Sequence, residues 1–318
     1  MPDVGCAGIL VADTFCGPMT SLPAEGQLLA IDSMSSKAGG CGANVAICLA
    51  RQGIEVDVAG CLGNDPSAKI VLSYFEDHDI GCRHLVYTDQ HPTSKTVILL
   101  VDGQDRRYIH TFGANKAFTV GQIDRDWLKQ LKVFYLGGLF VMPAVRTDEL
   151  LELLEFCRLQ GIVTVVDVVL PQDFAGHDDL RTLLPHIDYF LPNDDEARQI
   201  TGKNEPLGQV RDLLAEGGRC VIITQGSKGA IAARGGQFWR SGTYPVKAID
   251  PSGSGDAFAA GIIAGILRGR DMPDTLCYAS ALGASATRAV GTTDGVFTAE
   301  EAESFRADHS MEISAGSL

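Results

Sequence analysis

The stretch that decides the fold is IDPSGSGDAFAAG, residues 249–261, where an apolar lead-in passes through a turn into a run of small residues. Pro251 fixes one φ angle, while Gly253 and Gly255 permit backbone angles that other residues avoid. The small residues that follow favour a helix. A turn of this kind directs several N–H groups to one point, beside the positive end of the helix dipole. The stretch therefore predicts an anion-binding turn at the start of a helix.

Asp256 falls in the first turn of that predicted helix, where the helix dipole favours a carboxylate. It could serve only to cap the helix. Because it also lies beside the anion-binding turn, it could act as a base that takes a proton from a hydroxyl during phosphoryl transfer. In that case the backbone of Gly253, Ser254 and Gly255 would hold the transferred group. Both interpretations remain open from these residues alone.

Three other kinds of glycine-rich loop can be tested against the same sequence. A dinucleotide-binding fingerprint needs a third glycine where Phe258 stands. A P-loop needs Gly-Lys followed by Ser or Thr, but the Gly-Lys pair at residues 202–203 is followed by Asn204. A hydrolase elbow needs Gly-x-Ser-x-Gly, a pattern that the chain lacks. A dinucleotide-dependent oxidoreductase is therefore the least favoured function.

Two segments resemble the signatures of the PfkB, or ribokinase-like, family of carbohydrate kinases. Residues 253–256, GSGD, resemble the second signature, Gly-x-Gly-Asp, and residues 39–44, GGCGAN, resemble the first, Gly-Gly-x-Gly-x-Asn. The resemblance implies an ATP-dependent kinase that phosphorylates a hydroxyl, expected to be a primary alcohol, of a sugar or a sugar-like molecule. Asp256 would be its base.

Three further segments resemble family motifs: GCLGND at residues 60–65, NDDE at 193–196 and TQGSKG at 224–229. Asn193 and Glu196 have the spacing of a capping box. The resemblance implies that they also organise Mg²⁺, which Glu196 would hold through water. The nucleotide-binding residues that the resemblance implies are Asn193, Glu196, Thr224, Gly226 and Gly229.

The resemblance also implies a sugar site near the first signature. Asp13 follows the first predicted strand, Val4–Ala12, and would bind sugar hydroxyls, although an Asp after a strand is often only a turn residue. The ribokinase pattern Asn-x-Asp has Val11 in place of its Asn. The other residues expected to bind the sugar are Gly40, Gly42 and Asn44.

Ribose itself is doubtful as the substrate. Ribokinase carries a sugar-contacting Glu just after the strand that matches Val133–Leu136. This chain has Leu139 and Phe140 in that region and no acid. The resemblance therefore does not identify the sugar.

A small sheet is predicted outside the main series of strands. Its predicted strands are Leu28–Met34, Leu85–Tyr87, Thr96–Val101 and Tyr108–Phe112. In the family such a sheet is a lid over the sugar and often a dimer surface. We expect the lid to come from about residues 14–38 and 82–113, with Lys95, Arg106, Arg107 and His110 as the polar residues that it could present. Among these we favour Arg107 as a pocket residue, together with Asn115, which lies in a Gly-Ala-Asn triplet that resembles the family's.

From Val133 onward, apolar strands alternate with amphipathic helical segments. This βαβ alternation predicts a mostly parallel central sheet with helices on both faces. We therefore predict an α/β, ribokinase-like fold in which residues 1–318 form a single kinase domain with a small β lid.

The resemblance implies three cofactors. ATP and Mg²⁺ follow from the kinase activity. A monovalent cation, expected to be K⁺, would be bordered by the loop Val290–Gly295 and completed by carbonyls near Asp250 and Ser252.

The composition limits the partners of the protein. A formal charge of −14 argues against binding to nucleic acid or to an anionic membrane surface. The nine cysteines include no Cys-x-x-Cys pair, which favours reduced thiols and a cytoplasmic protein. The apolar run from Val4 reads as a buried strand and not as a signal peptide. We expect a small-molecule sugar as the partner, and a homodimer formed through the lid.

Two alternative functions remain open from the sequence. The same scaffold accepts a ribose that carries a base, so the chain could be a nucleoside kinase. It could also be a sugar- or nucleotide-binding sensor without turnover, although intact Asp256 and Glu196 argue against a sensor.

Overall fold

The structure is a computed structural model that describes residues 2–104 and 106–318. Its strands are, in chain order, β1 (Val4–Gly8), β2 (Val11–Met19), β3 (Met34–Gly39), β4 (Val56–Gly63), β5 (Gly81–Thr88), β6 (Ser94–Val101), β7 (Arg107–Thr111), β8 (Val133–Leu139), β9 (Val163–Val168), β10 (Tyr189–Phe190), β11 (Cys220–Thr224), β12 (Ala230–Arg234), β13 (Gln237–Ser241) and β14 (Ile313–Ser317). Its α-helices are α1 (Cys41–Arg51), α2 (Pro66–Asp77), α3 (Arg125–Leu128), α4 (Thr147–Leu159), α5 (His177–Leu183), α6 (Asp194–Thr201), α7 (Pro206–Ala215), α8 (Ser254–Leu267), α9 (Met272–Ala286) and α10 (Ala299–Asp308). No helix within the described ranges combines the length and the hydropathy that a bilayer span requires.

The large sheet has the strand order β14-β13-β12-β11-β10-β9-β8-β1-β4-β5. The strands from β11 to β5 in this order pair with one another in parallel. The remaining strands, β12 to β14, extend the sheet in antiparallel fashion. The carboxyl ends of the parallel strands meet along one edge, which is where open α/β sheets bind their ligands.

Successive residues of the central strands face opposite sides of the large sheet. Cys6 and Val58 belong to a hydrophobic core that includes residues of α1, α8 and α9. Ala7 and Ala59 belong to a second core that includes residues of α4, α5 and α7. Because helices cover both faces, these strands read as continuous apolar runs. The predicted α/β class, with a mostly parallel sheet between two helical layers, is confirmed.

The first predicted strand, Val4–Ala12, is wrong as a single element. β1 ends at Gly8, where φ is +147° and a Cβ atom would lie 2.2 Å from the carbonyl oxygen of Gly137. The chain then leaves the large sheet and enters β2, which belongs to the small one. Asp13 therefore does not follow β1 at the edge of the large sheet, but projects from a strand of the small sheet.

The small sheet has the order β3-β2-β6-β7. Two of the predicted lid segments do not belong to it. Leu85–Tyr87 lies in β5, the edge strand of the large sheet, where it pairs with β4. This segment alternates buried and exposed residues, as an edge strand of either sheet would, so its pattern could not identify its partner. Leu28–Met34 is not a strand, since β3 only begins at Met34 and Leu28 is 91 % exposed.

Candidate active site

A cavity of about 310 Å³ lies between the two sheets, at the carboxyl edge of the large one. The small sheet contributes lining residues from β2, β6 and the start of β7, and the large sheet contributes the ends of β9 and β11 and the amino ends of α6 and α8. Polar side chains that line it include Asp13, Asn44, Asp167, Glu196 and Asp256. The cavity therefore collects carboxylates that are far apart in the sequence.

The turn from Asp250 to Asp256 leads into α8, which begins at Ser254. Gly253 precedes the helix with a φ of +74°, and a Cβ atom there would lie 1.9 Å from the carbonyl oxygen of Thr292. Gly255 differs, because a Cβ atom there would have open space around it on the cavity side. The N–H groups of the first helical turn have no intrahelical acceptor, so the amino end of α8 can hold an anion.

Asp256 lies in the first turn of α8 and lines the cavity. The Nδ2 atom of Asn44 donates to its Oδ2 atom at 2.7 Å, and the Oγ1 atom of Thr292 donates to the Oδ1 atom of Asn44 at 2.8 Å. Burial raises the pKa of Asp256, and the hydrogen bonds from Asn44 and Cys41 oppose that rise. Asn44, predicted as a sugar-binding residue, therefore also orients Asp256, a role that no sequence motif indicates.

Asp13 is buried in β2, and its carboxylate faces the same cavity. Burial raises its pKa to about 6, a hydrogen bond with Thr96 lowers it in part, and the charge of Asp256 raises it further. Gly39 passes directly beneath this carboxylate, because a Cβ atom there would lie 1.8 Å from Oδ2 of Asp13. The glycine of the first signature that matters for Asp13 is therefore Gly39.

Asp167 is a cavity residue that the sequence analysis missed. It lies near the end of β9, and the hydroxyl of Tyr135 donates to its Oδ2 atom at 3.2 Å. Burial, followed by the charges of Glu196 and Asp256, raises its pKa well above the usual range. Its position at the carboxyl end of a predicted strand was the available signal, but Asp167 belongs to none of the quoted motifs.

Asn193 and Glu196 form the predicted capping box at the start of α6. The backbone N–H of Asn193 donates to Oε2 of Glu196 at 2.8 Å, and the backbone N–H of Glu196 donates to Oδ1 of Asn193 at 2.9 Å. Burial raises the pKa of Glu196 to about 7, although the N–H of Asn193 lowers it. Both residues also line the cavity, so the cap and the cavity share the same side chains.

The structure corrects the choice of lid arginine. Arg107 is exposed, and its Nη2 atom donates to Oε1 of Gln104 at 2.6 Å, away from the cavity. Arg106 instead lines the cavity, and its Nη1 atom donates to Oγ of Ser252 at 2.8 Å. Adjacent residues of an extended segment point to opposite sides, so an error of one position reverses the prediction.

Three predicted sugar-binding residues lie outside the cavity lining. Asn115 is buried, and its side-chain amide donates to the carbonyl and accepts from the N–H of Leu10, which fixes the crossing from β1 to β2. Gly40 precedes α1 with a φ of +86°, and the N–H of Gly42 donates to the carbonyl of Ile9. All three fix the backbone next to the cavity, and their contact with a sugar stays a prediction.

The residues of the predicted nucleotide loop also differ in whether they line the cavity. Thr224 lines the cavity, and its N–H donates to the carbonyl of Pro192. Gly226 and Gly229 lie outside the lining and shape the turn that follows. At Gly229, where φ is +92°, a Cβ atom would lie 1.9 Å from the carbonyl oxygen of Ser241.

The sequence and the fold of this chain are similar to those of known carbohydrate kinases. The family model described as pfkB family carbohydrate kinase matches residues 1–299. The ATP-dependent 6-phosphofructokinase of Thermoanaerobacterium thermosaccharolyticum is 25% identical over 269 residues, which covers 82% of each chain. The 5-dehydro-2-deoxygluconokinase of Clostridium perfringens is 25% identical and covers 84% of this chain and 83% of its own. The fructoselysine 6-kinase of Escherichia coli is 27% identical and covers 77% of this chain and 88% of its own.

Solved structures show the same fold. A structure named as that of a ribokinase II from E. coli, in complex with ATP and Mg²⁺, has a TM-score of 0.84 at 22% identity and covers 97% of this chain and 100% of its own. The ribokinase of Arabidopsis thaliana, in complex with ribose and ATP, has a TM-score of 0.82 at 22% identity and covers 96% and 98%. The ribokinase-like fold that the sequence predicted is thereby confirmed.

The two glycines of the turn should respond differently to alanine. Gly253→Ala forces a side chain into a positive-φ backbone and against Thr292, so we expect a stability loss on the order of 1–3 kcal/mol together with lost activity. Gly255→Ala places its methyl group in open space beside the anion-binding N–H groups, so we expect an unchanged melting temperature with reduced kcat. Thermal unfolding and steady-state kinetics on both variants test this. A Gly255→Ala enzyme with full activity would contradict the assigned anion site.

The buried carboxylate of Asp13 should lower the free energy of unfolding at neutral pH. Its pKa in the fold, about 6, is above the ordinary value of 3.8, so its contribution to folding is most favourable at low pH and is lost as pH rises through 6. Asp13→Asn removes that cost, and we expect the variant to be more stable than the native protein well above pH 6 by on the order of 2 kcal/mol. The advantage should disappear well below pH 4. Urea unfolding at both pH extremes measures it, and a variant that is less stable at high pH would refute the argument.

Proposed function

Since this chain belongs to the pfkB family of carbohydrate kinases and is an ATP-dependent sugar kinase, we propose that the cavity between its two sheets is the active site and that Asp256 is the catalytic base. The observation that carries this proposal is the position of Asp256 on the cavity wall, where Asn44 fixes its carboxylate at the anion-binding end of α8. A base must lie within hydrogen-bond reach of the attacking hydroxyl, next to the groups that hold the transferred phosphoryl group.

In the proposed reaction, Asp256 takes the proton of a primary hydroxyl as its oxygen attacks the γ-phosphorus of ATP. The bond from that phosphorus to the β–γ bridging oxygen breaks, and ADP leaves with the electron pair. Backbone N–H groups from Gly253 to Asp256 hold the transferred phosphoryl group, with Ser254 and Gly255 forming the turn around it. Asn44 keeps the carboxylate of Asp256 turned toward the cavity.

Magnesium fits the donors on the nucleotide side of the cavity. Mg²⁺ prefers oxygen ligands and retains several waters. Glu196 and Asp167 offer carboxylate oxygens there. Burial raises the pKa of both, and the charge of Glu196 raises the pKa of Asp167 further, so a bound cation would stabilise their ionised forms. We propose that these two residues and Asn193 hold the metal, with Glu196 acting through water. When bound, Mg²⁺ would neutralise charge on the ATP phosphates.

The sugar would occupy the part of the cavity under the small sheet. Asp13 would accept hydrogen bonds from sugar hydroxyls, and Thr96, Tyr108 and Asn44 lie around the same space. The names of the similar enzymes include a phosphosugar kinase, a sugar-acid kinase and a kinase for a glycated lysine. A phosphorylation screen across these classes, with nucleosides included, would identify the substrate.

We propose that residues 1–318 act as one kinase domain with the small sheet as its lid, in the cytoplasm. All nine cysteines are free thiols in the structure, in agreement with a reducing compartment.

The proposed potassium site does not fit the residues around it. The carboxylate of Asp250 lies 3.5 Å from the guanidinium of Arg106, and the carbonyl of Val290 accepts a hydrogen bond from the ammonium of Lys37 at 2.7 Å. A potassium ion beside Asp250, Ser252 and that loop would meet two protein cations. We therefore derive no step through potassium.

Replacing Asp256 should distinguish its role as a catalytic base from a role as a helix cap. Asp256→Asn keeps the shape of the side chain and its capping capacity but cannot accept the proton, so we expect kcat to fall at least ~100-fold. The affinity for ATP should change little, and the melting temperature should not fall, because burial raises the pKa of Asp256 and a neutral amide removes the cost of a buried charge. Asp148→Asn, in the exposed first turn of α4, is the matched control and should leave kcat unchanged. Normal turnover by Asp256→Asn, with loss only in stability, would support the capping interpretation instead.

The lid is also the proposed dimer surface. Several of its large apolar side chains are exposed, and Ile109 in β7 is 63 % exposed. We expect Ile109→Glu to convert a dimer into a monomer in sedimentation velocity, because a charge in a buried apolar contact is unfavourable. Leu159→Glu, at the end of α4 and 82 % exposed, is the control and should leave the dimer intact. A native protein that sediments as a monomer would exclude the dimer.

A further inference from the structure

Asp250 joins the start of the anion-binding turn to the loop that follows α9. Its Oδ1 atom accepts hydrogen bonds from the backbone N and the Oγ of Ser252, at 3.0 and 2.7 Å. Its Oδ2 atom accepts one from the N–H of Gly291, at 3.1 Å, in the loop after α9. The residue is only 2 % exposed. A nearby positive charge reduces the cost of burying a carboxylate beyond what its hydrogen bonds achieve.

Arg106 supplies that positive charge. Its Nη1 atom donates to Oγ of Ser252 at 2.8 Å and lies 3.5 Å from Oδ1 of Asp250. The hydroxyl of Ser252 thus accepts from the arginine and donates to the carboxylate. Arg106 stands one residue before β7, so this cation belongs to the small sheet, while both of its contacts belong to the catalytic turn.

A second cation from the small sheet reaches the other loop. Lys37, in β3, donates from Nζ to the carbonyl of Val290 at 2.7 Å and pairs with Asp294 at 2.9 Å. Its side chain is largely buried. A Cβ atom at Gly291 would lie 2.8 Å from Nζ, so the loop packs directly on the ammonium group. The register partner of Lys37 in β2 is Asp13, which ties this contact to the sugar side of the cavity.

We propose that Arg106 and Lys37 are positioning residues that take the place of a bound monovalent cation, and that they couple the seating of the small sheet to the shape of the anion-binding turn. The inference rests on the proposed role of that turn in holding the transferred phosphoryl group. Neither residue is a catalytic base or acid. Arg106 acts through the anion-binding turn, and Lys37 acts through the loop at Val290, which Asp250 joins to that turn.

As a consequence, the anion-binding turn reaches its working geometry only when the small sheet covers the cavity. An exchangeable ion would compensate Asp250 whether or not the sheet were seated. Arg106 and Lys37 compensate the loops only in the closed arrangement, because Lys37 belongs to β3 and Arg106 directly precedes β7. Water would be excluded at the same moment as the N–H groups of the turn reach their working geometry, which disfavours transfer of phosphate to water.

The test begins with the native enzyme in chloride salts of potassium, sodium and tetramethylammonium at equal ionic strength. We expect kcat to agree within about twofold in all three salts. Arg106→Ala should lower kcat roughly tenfold or more, because small misplacements of positioned groups carry losses of this size. Its KM for ATP should change less. Added guanidinium, at concentrations below those that unfold the protein, should restore part of kcat by refilling the site beside Asp250.

Arg107→Ala is the matched control. It removes the same charge from the neighbouring position, but its guanidinium points to Gln104 and solvent, so kcat and its salt dependence should stay native. Arg106→Lys keeps a positive charge and should retain an intermediate kcat. Should Arg106→Ala not fold, this lysine variant and the salt series on the native enzyme still decide the question. Calorimetry of the binding of Mg²⁺ together with a non-hydrolysable ATP analogue, on the native enzyme and on each variant, checks the ligand site without turnover.

Two results would overturn the inference. One is a native enzyme whose kcat collapses when potassium is replaced by tetramethylammonium. The other is an Arg106→Ala enzyme with native kcat, or one no more impaired than Arg107→Ala. Both are distinct from failure of the proposed function, which would appear as turnover that survives Asp256→Asn or as a native enzyme that phosphorylates no sugar.

Discussion

The structure depends on how a group of buried carboxylates is held at the amino end of one helix. Asp256 lies at that end, and Asp13, Asp167 and Glu196 face the same cavity. Burial raises the pKa of each of them, and their mutual repulsion adds to the effect for Asp13 and Asp167. Such a cluster opposes folding, so the surrounding elements must fix it from outside. Asn44, Tyr135 and the N–H of Asn193 do this by hydrogen bonds.

The glycines of the two signatures serve this arrangement in different ways. Gly39 passes so close to Asp13 that no side chain fits, and Gly253 combines a positive φ with contact against Thr292. Gly255 instead leaves open space where a ligand can approach the helix end. The glycines of these motifs therefore serve two different purposes. Some allow close packing of the backbone, and another leaves clearance for a ligand. Only the structure separates them.

This separation explains what the sequence could and could not predict. Local patterns identified the parallel sheet, the capping box of Asn193 and Glu196 and the helix that carries Asp256, because each depends on neighbours in the chain. The strand that crosses from β1 into the small sheet was missed because Gly8 interrupts an apolar run without changing its composition. The sequence could not predict which of Arg106 and Arg107 faces the cavity, because their side-chain directions depend on the register of β7 with β6. Asp167 lacked a motif, and only the fold brings it to Asp256.

The same carboxylates suggest an order of events in the proposed mechanism. With their pKa values raised, Asp167 and Glu196 hold protons more readily in the empty cavity than free carboxylates do. A divalent cation with the nucleotide would favour their ionised forms and reduce the repulsion that Asp167 feels from Asp256. Asp256 meanwhile keeps its hydrogen bond from Asn44, which lowers its pKa against the effect of burial. The cavity is therefore best suited to remove a proton from the sugar once the metal-bound nucleotide and the lid are both in place. The metal would offset the charges of Asp167 and Glu196, and Arg106 next to the small sheet offsets the charge of Asp250.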